Sequence, residues 1–375
     1  MLDRQDVIFA FRYMLGRDPE NEDVIRAHMS FDNWMVLRQF LLSSNEYQAN
    51  NRRETFAKGN TGYRNYTQDD ISAIQRLGSE PSQNRFENGI VDWFGIKIDS
   101  QYAPWITSRA GQALKNAPFP DDTFLSDGIE YAALSLALDA AQGKDIFCSL
   151  ELGAGWGPWT ALSAVCARRA GFPSIVIGAL EADAKRFAQM RQHLALNELV
   201  PMEAPDRGRS GAIVHELEQA AIWFDDAILH WPEASADDSG RSVSTEETSG
   251  LDYRGLALNM IPIRAIGLTR LLERFDHIDF LHVDIQGAEA EIVPRSIEAL
   301  ESKVTIMFIG THSRKIEGDL IEFLHKRGWQ LLREQPCEFD STMNAPTLEG
   351  LTTKDGGLVW QAPGSHTPQS RSVLS

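Results

Sequence analysis

The chain runs to 375 residues with a net charge of −17, 43% hydrophobic residues and 24% charged residues. That length suits two domains, one of them large, and the composition is that of a globular protein, not a fibre or a disordered chain. The acidic balance argues against a nucleic-acid partner and against docking on an anionic membrane, since both require clustered Lys and Arg.

Cys148, Cys166 and Cys337 are far apart and show no C-x-x-C spacing. This fits a reducing compartment and neither a disulfide framework nor a zinc site. The N-terminal run MLDRQDVIFAFRYMLGRD lacks the layout of a signal peptide. No apolar run approaches the roughly 20 residues of a membrane helix, so a cytoplasmic protein without a membrane span is expected.

The first fifty residues read as short helices. Val7, Ile8, Phe11, Met14 and Leu15 recur at helical spacing, with Gly16 at the C-cap position. Val24, Ile25 and Met29 form a second face. Asp32 suits the N-cap of a third helix carrying Met35, Val36, Phe40 and Leu41. So small a unit buries little surface and needs a neighbour, a protein partner or a second copy included. Residues 51–120 read as a polar connecting segment with one short helix, and 121–363 as the main domain, beginning with a helix from Gly128 to Ala141. A disordered tail, 364–375, is expected to follow.

From Ile146 the pattern alternates strand and helix: strand 146–152, helix 158–169, strand 174–181, helix 183–196, then strands 278–284 and 304–310, helix 316–327, and terminal strands 328–334 and 357–362. Such alternation implies right-handed crossovers and an α/β, doubly wound parallel sheet. The polar run EASADDSGRSVSTEETSG within 231–251 reads as a loop or lid.

Four constellations carry chemistry. In LELGAGWGPWT (150–160) a buried strand ends at Glu151-Leu152, and Gly153, Gly155 and Gly157 turn the chain into a helix. Such a turn lets backbone N–H groups approach a ligand. A dinucleotide fingerprint needs glycine where Pro158 stands. The E-x-G-x-G-x-G spacing instead suits S-adenosyl-L-methionine, whose ammonium Glu151 attracts, whereas the same carboxylate would repel a pyrophosphate. Trp156, between glycines, is placed to reach the pocket, whereas Trp159 reads as core. Second, Glu181 ends an apolar strand, where a carboxylate holds ribose hydroxyls; the alternative is a helix-start acid, with Asp183 competing for that job.

Third, in FLHVDIQGAEAEIV (280–293) Asp284 sits at a strand end and Glu289 in the next helix's first turn. The pair suits orienting a hydroxyl or holding a divalent cation through oxygen ligands, although Glu289 also suits helix-start stabilisation, and no metal is assigned. His282 reads as a hydrogen-bonded core residue. Fourth, in FIGTHSRKIEGDL (308–320) the strand end places His312 on the rim of Asp284, where it suits a general base or a rim histidine bonded to its turn.

Together these runs resemble the FkbM family of methyltransferases, from about Asp121 to Pro363, with VDIQGAE the most family-specific run. The resemblance implies a seven-stranded, Rossmann-like methyltransferase fold using S-adenosyl-L-methionine, and transfer to a hydroxyl of a small molecule, sugar or glycan. Glu151, Gly153, Gly155 and Glu181 match its cofactor positions; Asp284, Glu289 and His312 match its substrate side. Many relatives carry Lys at position 282 and Glu at position 286, where this chain has His and Gln. Separately, residues 14–47 resemble a bacterial helical module with an LGR-x-P turn and an S-x-E-[FY] end, which implies an accessory role. The rival readings are a nicotinamide-dependent oxidoreductase, an N-methyltransferase, and a binding protein that kept the sheet but lost catalysis.

Overall fold

A computed structural model describes residues 2–15, 17–31, 33–44, 46, 65–78, 85–115, 117, 126–233, 259–345 and 349–364. The chain divides into two compact units, residues 1–62 and 63–375. Among the described residues no helix is long and apolar enough to cross a membrane.

The first unit contains helices α1 (Arg4–Leu15), α2 (Glu22–Met29) and α3 (Trp34–Ser43). Val7, Phe11, Leu15, Ile25, Leu37 and Leu41 form its core. Asn21 starts α2 by accepting from the N–H groups of Asp23 and Val24, each at 3.0 Å. The expected apolar face of α3 is rotated: Leu37 and Leu41 are buried while Val36 and Phe40 are exposed. Gly16 and Asp32, expected as caps, lie outside the described residues; Asn33 accepts from the Val36 N–H at 3.2 Å. Arg17 of the LGR-x-P turn pairs with Glu46 of the S-x-E-Y end, so the two ends of the helical motif are tied together by charge.

In the second unit, α4 (Gln68–Leu77), the hairpin β1 (Gly89–Val91) and β2 (Lys97–Asp99), and α5 (Gly128–Ala140) precede the main sheet. Within the stretch expected as a connecting segment, Gln68–Leu77 is the helix and Gly89–Val91 and Lys97–Asp99 are strands. Ile74, Ile90, Phe94, Ile98, Tyr102 and Ile106 join the large core. Asp70 shows why: it completes a capping box with Thr67 and takes a forked bond from Arg333 at 2.7 and 2.9 Å. A bidentate guanidinium–carboxylate pair fixes α4 against a strand distant in sequence.

Then follow β3 (Ile146–Leu152), α6 (Pro158–Arg169), β4 (Ser174–Glu181), α7 (Ala184–Leu196), β5 (Arg207–Ser210) and β6 (Ile213–Gln219). Strands β7 (Ala221–Trp223), β8 (Ala227–Glu233) and β9 (Asn259–Gly267) form a separate three-stranded sheet. The polar run expected as a lid lies almost wholly outside the described residues. The remainder comprises α8 (Leu268–Leu272), β10 (Ile278–Val283), α9 (Glu289–Arg295), α10 (Ile297–Lys303), β11 (Val304–Thr311), α11 (Arg314–Lys326), β12 (Gln330–Gln335), β13 (Glu338–Phe339), β14 (Thr352–Lys354) and β15 (Gly356–Gln361).

The central sheet has eight strands in the order β12-β15-β11-β10-β3-β4-β6-β5. Strands β11, β10, β3, β4 and β6 are parallel, and β15 runs antiparallel to both neighbours. The eighth strand beyond the seven expected is β5, a short polar edge paired antiparallel with β6. Strands covered on both faces read as continuous apolar runs, and every residue of β10 and β11 is buried. Phe147, Ile177, Phe280 and Phe308 pack on one face; Cys148, Leu150, Leu281 and Met307 pack on the other. The chain leaves β3 toward β4 on one side and returns through β10 toward β11 on the other. The crevice at that reversal, outside the strands' carboxyl ends, is where an open α/β sheet binds ligands.

Candidate active site

The glycine turn sits at that crevice, and its three glycines do different work. Gly153, Gly155 and Gly157 all have positive φ, at 79°, 56° and 75°. A Cβ on Gly153 would lie 1.9 Å from the Asp284 carbonyl oxygen, and one on Gly157 would lie 2.7 Å from Met190 Cγ. Those two allow backbone and helix to pack closely. Gly155 is different: its Cβ would meet nothing closer than Arg186 Nη1 at 3.9 Å. It leaves room beside the cavity.

Glu151 lies on the α6 side of β3 and is buried. It accepts from the N–H groups of Trp159 at 3.3 Å and Thr160 at 2.6 Å, and from the Thr160 hydroxyl. Three of its roughly four acceptor sites are therefore used. The expectation of a carboxylate free to face an ammonium is corrected in this respect: Glu151 first satisfies the orphan donors of a helix whose N-cap is glycine. Burial pushes it up to about 7, against those hydrogen bonds. Glu181 also opens onto the crevice. It accepts from Gly155 N–H at 2.6 Å and Asp183 N–H at 2.7 Å, and burial pushes it up to about 7. Asp183 caps α7 through the Arg186 N–H, so the cap and the strand-end acid are separate residues.

Asp284 follows β10 and is the half-buried member of a triad with Glu289 and His312. Gln286, at φ 57°, and Gly287, at φ 100°, bend the chain after it. Glu289, fully buried, holds the bend by accepting from the N–H groups of Ile285 and Gly287, each at 2.8 Å. His312 Nε2 lies 3.1 Å from Asp284 Oδ1, and Nδ1 lies 3.5 Å from Glu289 Oε1. Burial would lower the imidazole, but the Glu289 charge and the Asp284 hydrogen bond outweigh it and hold its pKa well above the ordinary value. Asp284 is held below the usual range because its bond to His312 outweighs desolvation.

The expectation of His312 as general base is corrected by this geometry. The ring is 2% exposed, stands behind Asp284, and is not on the cavity wall. Both ring nitrogens face carboxylates, Asp284 and Glu289, and neither faces the cavity, so the ring has no direct path to a substrate hydroxyl. His312 is a positioning residue, and Asp284 is the group that meets the crevice.

The crevice is a cavity of about 620 Å³ bordered by Glu151, Gly153, Gly155, Trp156, Glu181 and Asp284. That volume lies in the roughly 300–1,000 Å³ span of small-molecule sites. Trp156 borders it but packs largely on His193 and Tyr102, with ring centroids at 4.8 and 6.3 Å. Sequence reading missed Tyr102, Trp105, Glu130, Trp231 and Asp355, which also border it. It read His282 as core, and the residue is 3% exposed, stacked between Trp159 and Phe308. Yet its Nε2 meets Glu130 Oε2 at 2.9 Å, and both residues reach the wall. Only the Glu130 capping pattern, three residues after Asp127 at a helix start, was there to be found.

No family model matches the chain, so the likeness to the FkbM family stays a resemblance. A protein of Jannaschia sp. (strain CCS1), provisionally named a methyltransferase, is 27% identical over 281 residues, covering 73% of this chain and 92% of that protein. Among solved structures, precorrin-6y C5,15-methyltransferase of Geobacter metallireducens GS-15 overlaps 63% of this chain and 89% of its own, at 11% identity and a TM-score of 0.34. The human methyltransferase 10 domain containing protein overlaps 61% and 79%, at 14% identity and a TM-score of 0.33. Those superpositions are loose, and the fold rests on the strand order of this chain.

Proposed function

We propose that the protein is an S-adenosyl-L-methionine-dependent methyltransferase that acts on a hydroxyl group, most simply one on a saccharide or glycoconjugate. The observation that carries this reading is the shared cavity: the glycine turn, Glu181 at the end of the second parallel strand, and Asp284 at the end of the fourth border one space. The similarity to the Jannaschia protein supports the same class of reaction.

The residues present fit the donor better than a dinucleotide. A pyrophosphate seeks free N–H groups at a helix N-terminus. Here Pro158 offers none, and those of Trp159 and Thr160 are taken by Glu151. Two carboxylates stand where phosphate oxygens would have to lie. An adenosine bearing ribose hydroxyls and a cationic methionyl group meets acceptors instead. When bound, the donor supplies an activated methyl group.

The chain's own part is alignment, which can account for much of a bimolecular barrier. Asp284, held by His312 and by Gln286 Nε2 at 3.0 Å, orients the acceptor hydroxyl and takes its proton. A carboxylate of depressed pKa suffices, because a hydroxyl oxygen gaining a methyl becomes strongly acidic. Trp105 is 55% exposed at the mouth, and a flat aromatic face there suits the C–H face of a sugar ring.

Calorimetry with S-adenosylhomocysteine beside NAD tests the cofactor, and incubation with isotopically labelled donor and glycan extracts, read by mass spectrometry, tests the acceptor. Heat only with NAD would overturn the reading. Donor binding with label appearing on amines would replace the hydroxyl acceptor.

A further inference from the structure

The geometry points to a divalent-cation site built from Asp284, Glu289 and His312. One donor atom from each residue falls within a set whose members all lie within 4.8 Å of one another. Ligands about 2.1 Å from one ion lie roughly 3–4.2 Å apart, so the side chains need to close by only tenths of an ångström. The His312 Nε2 to Asp284 Oδ1 separation, 3.1 Å, already has that value.

A second observation concerns the imidazole itself. His312 is 2% exposed, and its Nδ1 is buried without a hydrogen-bond partner although Glu289 Oε1 stands 3.5 Å away. A polar atom sealed in that way is uncommon in an ordinary interior and calls for a ligand or partner. Coordination by one ring nitrogen, with the other turned toward a carboxylate, is the arrangement that metal-ligating histidines adopt.

The supporting shell is also in place. Both Glu289 oxygens are fixed by backbone N–H groups, and Asp284 is steadied by Gln286. Asp284 opens onto the cavity and gives an ion a way in. Asp355 Oδ2, 4.0 Å from His312 Nε2, stands beside the site as a further oxygen. Two carboxylates and one imidazole suit a first-row ion such as manganese or zinc better than calcium, which takes oxygen ligands alone. The site needs no methyl donor, so its test is separate from that of the proposed function.

The test uses the full-length protein, freed of metal by a chelator, and Mn²⁺ alone. Electron paramagnetic resonance should show one ion bound per chain, with spin-echo modulation from an imidazole nitrogen. Asp284→Asn and His312→Gln should each weaken binding by more than about 10-fold, and His312→Gln should erase the nitrogen signal. Circular dichroism identifies folded variants, and the nitrogen signal of the wild type stands without them. No Mn²⁺ uptake, uptake without nitrogen modulation, or uptake unchanged in both folded variants would each overturn the site.

Discussion

At the scale of single residues, burial makes two of the site's carboxylates, Glu151 and Glu181, reluctant to ionise. Glu181 is pushed up to about 7, far above the ordinary carboxylate value, so near neutrality it titrates. A ribose hydroxyl donates more strongly to the ionised form, since charge-assisted bonds are roughly twice as strong as neutral ones. Affinity for S-adenosylhomocysteine should therefore fall as the pH is lowered from about 8 to about 6. The same titration acts oppositely on the empty fold: a raised carboxyl pKa means stability is greatest in acid and declines as the pH climbs toward 7. Glu181→Gln should bind about 10–100-fold more weakly with a shallower pH slope. Glu151 is also raised to about 7, so calorimetric titration of the variant, not the wild type alone, decides. An undiminished slope in Glu181→Gln would remove Glu181 from ribose binding.

At the scale of elements, the glycine turn separates folding from binding. Gly153→Ala pushes a methyl into the Asp284 backbone at a positive φ, and should cost about 2–4 kcal/mol of stability from strain and overpacking. Gly155→Ala meets only the far end of Arg186 at ordinary contact distance, so only the left-handed penalty of about 1–2 kcal/mol applies; its effect should fall on S-adenosylhomocysteine affinity. Urea unfolding and calorimetry on both variants check this, and equal stability loss without a binding difference would refute it. The turn was legible because its requirements are local: strand, glycines and helix follow in eleven residues, and β3, α6 and β4 lie where the apolar periodicity puts them. What hid was whatever needs distant partners. No local pattern in QDDISAIQRL says that Asp70 awaits Arg333, and Tyr102 and Asp355 reach one cavity from opposite ends of the domain. His312 misled for the same reason. Its type suggested a base, and only its position between two carboxylates, off the cavity wall, shows that it is set back behind Asp284.

At the scale of the whole molecule, the two units keep separate hydrophobic cores. One is made of residues between Leu2 and Leu41, the others of residues between Ile74 and Ala362. Among the described residues, every one that borders the cavity, from Gln101 to Asp355, belongs to the larger unit. Truncation tolerance follows burial and hydrogen bonding of the affected backbone, and the larger unit's first described helix carries its own capping box at Thr67 and Asp70. A chain beginning at Tyr63 should therefore fold and bind S-adenosylhomocysteine within about twofold of the full-length affinity, a difference of less than about 0.5 kcal/mol. The released N-terminal piece has a core too small to offset its chain entropy, and should melt without a cooperative transition. Calorimetry of the shortened chain, with circular dichroism of both pieces, measures the outcome. A loss of affinity beyond about 10-fold in a chain that still melts cooperatively would mean that the helical unit contributes to ligand binding, and the cavity could no longer be ascribed to the sheet alone.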